Sequence, residues 1–239
     1  MIVITGTGRS GTSFLAKLYA ELGFNIAGKD EWWERSNAGV ESQEVNNLLI
    51  EIMNDLAILA GGSRLFRLAA TVGRRLVREI PRLDRLRRKF LGDRILLHDM
   101  DRFEQIVEKH RPRILEFADQ YDVIKAPGFC RTLSVWAAAG AKIDVVLIAL
   151  RKIDDVITSS EKAKFLRYKD RNMAYNHYAH LLGYLYSAIA DYNLNAINVR
   201  FPDFLDSPEV LYQRLPFPSP IAQHAFLSTF HKVRTVKPG

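Results

Sequence analysis

A single cysteine, Cys130, excludes an intramolecular disulfide framework and a cysteine-rich metal site, and it fits a reducing compartment. No uninterrupted apolar run reaches membrane-spanning length. No secretory leader is expected from Met1-Ile2-Val3-Ile4-Thr5, which turns at once at Gly6 and shows no basic stretch and no long apolar one. There is no internal repeat and no low-complexity tract. These absences predict a cytoplasmic protein without a transmembrane segment, leaving peripheral membrane contact open.

What is present is enough apolar material for one sizeable core, at 48% of 239 residues. The expectation is a single domain over 1–239 with an arginine-rich helical insertion at 62–95. The formal charge of +7 is concentrated there: residues 64–94 carry ten arginines and one lysine against Glu79, Asp84 and Asp93. That segment reads as a solvated helix pair, as a surface for an anionic acceptor, or as a membrane-surface helix.

Periodicity predicts strands at 2–5, 121–125, 143–150 and 196–199. Helices are predicted over 12–22, 42–59, 103–118, 131–139, 172–192 and 221–230, with another starting near Ile153. Strands alternating with helices define an α/β protein with a parallel sheet covered by helices on both faces.

The first strand runs into Gly6-Thr7-Gly8-Arg9-Ser10-Gly11 and then a helix. Glycines there let backbone N–H groups turn inward, and the helix N-terminus adds positive potential, so an anion is the natural ligand. The spacing Gly6-x4-Gly11-Thr12-Ser13 is that of a P-loop, except that Thr12 stands where a nucleotide triphosphatase has lysine. The strands expected beside it end in Lys125 and Arg151, not in a magnesium-binding carboxylate. A polyanion bound without metal suits such a site better than ATP–magnesium.

Four segments resemble the family of sulfotransferases that use 3′-phosphoadenosine 5′-phosphosulfate (PAPS), its bacterial members especially. Gly8-Arg9-Ser10-Gly11-Thr12-Ser13-Phe14-Leu15 is similar to the family's 5′-phosphosulfate loop. Asn37-Ala38-Gly39-Val40-Glu41 with Asn46 and Asn47 is similar to a bacterial G-x-x-E element, one residue tighter. Val123-Ile124-Lys125-Ala126-Pro127, with Trp136 beyond it, resembles a K-D-P…W segment in which Ala126 replaces aspartate and Gly128 a common arginine. Arg151 closing a strand, with Ser159 eight residues on, matches the 3′-phosphate pair, although Ile153 replaces a proline.

The resemblance implies a three-layer P-loop sulfotransferase fold and transfer of a sulfonate from PAPS to a hydroxyl acceptor, releasing 3′-phosphoadenosine 5′-phosphate (PAP) without a metal. It implies cofactor binding by Gly8, Arg9, Ser10, Gly11, Thr12, Ser13, Arg151 and Ser159, and catalytic roles for Arg9 and Lys125. Some family members use a histidine as base where this chain has Pro127, so the base is sought in the 30–44 loop: Glu41 first, then Glu34 and Asp30. Glu41 reads equally as a helix-capping acid.

His98 is a weaker base candidate. His177 and His180, three apart on one helix, lack a third metal ligand in sequence. Trp32 and Trp33 read as packing or as an acceptor platform. The acceptor (glycan, lipid, small molecule or peptide tyrosine) and the oligomeric state stay open, and no nucleic acid is expected. Two other readings remain: a non-catalytic P-loop module that holds nucleic acid or anionic lipid through the arginines, and a P-loop kinase.

Overall fold

The computed structural model describes residues 1–28, 41–59, 100–162 and 170–235. The arginine-rich segment, Asp30, Trp32, Trp33, Glu34, Asn37 to Val40 and His98 lie outside these residues.

Four parallel strands form one sheet: β1 (Ile2–Gly6), β2 (Val123–Lys125), β3 (Val145–Leu150) and β4 (Ala196–Arg200), in the order β2-β1-β3-β4. β1 sits inside the sheet and every residue of it is buried. That is why it reads as an apolar run without alternation. Its register sets Ile4 beside Lys125 on one side and Gly6 beside Ala149 on the other.

The described helices are α1 (Thr12–Glu21), α2 (Gln43–Leu59), α3 (Met100–Gln120), α4 (Phe129–Ala138), α5 (Ile153–Lys162), α6 (Arg171–Asp191), α7 (Pro208–Arg214) and α8 (Gln223–Thr235). Successive strand residues point to opposite faces and so feed two cores. Val3, Ile124, Val146 and Ile148 pack with side chains of α2, α3, α4 and α6. Ile2, Ile4, Val123 and Leu147 pack instead with those of α1, α7 and α8. The result is an α/β fold whose four-stranded parallel sheet carries an apolar core on each face.

The predicted strand at 121–125 starts only at Val123; just before it, the Asp122 carboxylate accepts from the Asn25 N–H at 2.9 Å and its carbonyl from the Ile2 N–H at 2.7 Å. The strand predicted from Ile143 starts at Val145; just before it, the Asp144 carboxylate pairs with the Met1 amino group at 2.7 Å and its N–H donates to the Met1 carbonyl at 3.0 Å. α7 was not expected: with Pro208 in its first turn, it is too short to show helical periodicity. Among the described residues, no helix is long and apolar enough to cross a membrane.

Candidate anion site at the carboxyl ends of the strands

β1, β2 and β3 end side by side, and each delivers a part of the site. From β1 the chain passes through residues 7–11 into α1. Gly8 and Arg9 take left-handed backbone conformations (φ 24° and 63°), and so does Gly11 (φ 98°), which caps α1 without a side-chain hydrogen bond. Among the described residues, no acceptor meets the backbone N–H groups of Arg9, Ser10, Gly11, Thr12 and Ser13. The Ser10 hydroxyl is fully buried and also lacks a partner. Unmet donors gathered at the N-terminus of a ten-residue helix create positive potential and open hydrogen-bonding capacity, which is what an anionic ligand satisfies.

Gly6 and Gly11 are both needed sterically. A Cβ on Gly6 would lie 2.4 Å from the Ala149 carbonyl oxygen, and one on Gly11 would lie 2.7 Å from the Phe201 ring.

From β3 comes Arg151. Its Nη1 donates to the Arg9 carbonyl at 3.2 Å, and its guanidinium lies over the Phe201 ring, 5.1 Å from the centroid. The Asp155 carboxylate is 3.9 Å from its Nε, too far to accept, so among the described residues this buried N–H has no hydrogen-bond partner. The Arg9 Nε in turn donates to Ser159 Oγ on α5 at 3.1 Å. Two bonds in opposite directions therefore tie the loop to the end of β3 and to α5. The candidates Arg9, Arg151 and Ser159 meet, although 150 residues separate the first from the last.

From β2 comes Lys125, whose side chain is only 2% exposed. Its Nζ donates to Glu41 Oε1 at 2.6 Å, while Glu41 Oε2 accepts from Asn46 on α2 at 2.9 Å. Burial alone would raise the proton affinity of Glu41. The Lys125 charge and the hydrogen bonds from Lys125 and Asn46 outweigh it and hold the carboxyl below its ordinary range. Burial lowers Lys125, and Glu41 restores only part of that loss. The capping reading of Glu41 gives way here, because Ser42 Oγ accepts from the Val45 N–H at 3.4 Å.

Beneath the loop, Cys130 Sγ lies 3.6 Å from Thr5 Oγ1, and burial pushes its thiol up. His177 and His180 sit on α6, with the His177 ring edge-on to Tyr178. Among the described residues, no group of three His, Cys, Asp or Glu side chains converges.

Sequence reasoning missed Phe201 and the part played by Asn46. Phe201 is the first residue past β4, as Arg151 is past β3. That position at the end of a strand was the available signal. No protein-family model matches this chain, and no curated protein matches its sequence.

Proposed function

We propose that this protein is a PAPS-dependent sulfotransferase with a P-loop sulfotransferase fold, acting in the cytoplasm on a hydroxylated acceptor. The observation that carries the reading is the crossed pair of contacts, Arg9 to Ser159 and Arg151 to the Arg9 carbonyl, beside the unpartnered Ser10 hydroxyl. Three cationic side chains at adjacent strand ends, with open backbone donors between them, suit a ligand carrying two separate phosphate groups.

In this reading the N–H groups of residues 9–13 and the Ser10 hydroxyl hold the 5′-phosphate, while Arg151 and Ser159 hold the 3′-phosphate. PAPS supplies the activated sulfonate. Arg9 and Lys125 stabilise the negative charge that gathers on the departing phosphate oxygen. The acceptor oxygen forms a bond to sulfur as the bond from sulfur to the phosphate oxygen breaks, and the hydroxyl proton passes to Glu41. Glu41 is ionised in its pair with Lys125 and therefore able to take a proton. Burial is the largest single influence on Glu41; if Lys125 turns to the ligand, the charge that helps outweigh it is withdrawn and Glu41 becomes a stronger base.

The test is incubation with labelled PAPS and a panel of hydroxylated glycans, lipids and small molecules, with release of PAP as the readout. Release that depends on one class of acceptor supports the proposal. PAP binding without turnover on any class favours the non-catalytic module.

A further inference from the structure

Arg151 is a long, flexible side chain, yet the site needs its guanidinium at one place. Two of its contacts are polar: the Arg9 carbonyl and the more distant Asp155. The third is the face of Phe201. This ring is fixed from several sides. Its backbone N–H donates to the Leu150 carbonyl at 2.7 Å, which ties it to the residue just before Arg151. Phe204 packs edge-on against it at 5.7 Å. Gly11, the cap of α1, approaches the ring so closely that only a residue without a side chain fits. One aromatic ring thus touches both halves of the site, the glycine-rich loop and the arginine at the end of β3.

We infer that Phe201 is the positioning residue that presents Arg151 to the ligand, so that it sets the preference for a nucleotide bearing a 3′-phosphate over one without it. A ring face attracts a guanidinium through its quadrupole while using none of its N–H donors. Phe201 therefore orients Arg151 and leaves its buried, unpartnered Nε–H and its second terminal nitrogen for a phosphate. An aliphatic residue of similar bulk would fill the space without that attraction, and the guanidinium would lose its fixed direction.

This inference rests on the sulfotransferase reading, and its test separates the two. PAP and AMP, which lacks the 3′-phosphate, are titrated calorimetrically into wild type, Phe201→Leu, Phe201→Tyr, Arg151→Ala and the Phe201→Leu/Arg151→Ala double variant. Phe201→Leu is expected to weaken PAP about 2- to 30-fold, the range of a cation–ring contact, and to leave AMP nearly unchanged. Phe201→Tyr, which keeps the ring, is expected to retain the preference for PAP. In the Arg151→Ala background the leucine substitution is expected to cost nothing further, because the two act through one contact. Equal loss of PAP and AMP in Phe201→Leu, or an unchanged preference, or the same penalty with and without Arg151, would overturn the positioning role and leave the sulfotransferase reading standing. Failure of the wild-type protein to bind PAP would overturn both.

Discussion

At the residue scale, the pair Lys125–Glu41 carries the sharpest consequences. Lys125 is almost wholly enclosed and depends on one carboxylate. Glu41→Gln keeps the size and an acceptor oxygen but removes the charge and the proton-accepting capacity. Turnover is expected to fall by roughly 100- to 10,000-fold. The substitution also leaves Lys125 buried against a neutral partner, at about 1–3 kcal/mol of stability. A lower melting temperature together with collapsed turnover and retained PAP affinity fits the account. Turnover within a few-fold of wild type removes Glu41 as the base.

The pH dependence has a definite sign. The folded protein holds Glu41 below its ordinary range, so its contribution to stability is complete above the ordinary carboxylate value and is lost as pH falls through the lowered one. Melting curves on the acid side should show this loss in wild type and a shallower one in Glu41→Gln.

Part of this site was legible in the sequence, and the boundary is physical. Arg9, Ser10, Gly11, Lys125 and Arg151 were candidates because they follow or close strands, and Ser159 because its spacing from Arg151 resembles the family's pair; the structure brings Arg9, Arg151 and Ser159 together. The link between Glu41 and Lys125 spans 84 residues and depends on how α2 is placed, which spacing does not reveal. Phe201 was missed for a related reason: its place just past a strand was the one local signal, and an aromatic residue there can equally fill a core.

At the scale of elements, the turn from β1 into α1 is the critical piece. Gly11 combines a left-handed backbone with contact against Phe201, so Gly11→Ala meets both strain and collision. The expected cost is about 1–3 kcal/mol, read as a lowered melting temperature, with PAP binding lost more completely than the stability change explains. An alanine variant that melts and binds like wild type would show that the turn is not under this constraint.

The elements themselves were largely readable. β1 and β3 announce themselves as apolar β-branched runs, and α6 as a long periodic stretch. α7 has seven residues and no repeat long enough to detect. The observed strands start two residues later than predicted, just after Asp122 and Asp144, whose carboxylates bind the Asn25 N–H and the Met1 amino group while their backbones still bond to Ile2 and Met1.

At the scale of the whole molecule, a parallel sheet collects loops over the carboxyl ends of its strands, where ligands bind in such folds. Here that edge gathers Lys125, Arg151 and the turn at Arg9, all cationic, and the arginine-rich stretch at 64–94 adds further charge to the chain. If that stretch gathers an anionic acceptor, charge reversal at Arg74, Arg75, Arg87 and Arg88 should raise the acceptor's apparent KM and flatten its salt dependence, with PAP affinity unchanged. No change in either quantity would assign the stretch to a solvated face.

The central claim is that the cationic strand ends and the lysine-free loop select a bisphosphorylated nucleotide without metal. The most direct test is the thermal melting of the protein with PAP in EDTA, set against melting with ATP and magnesium. Binding to the native state raises the melting temperature by mass action. The account predicts a clear rise with PAP in EDTA and a much smaller one with ATP–magnesium. A larger rise with ATP–magnesium than with PAP would contradict it and return the site to a kinase.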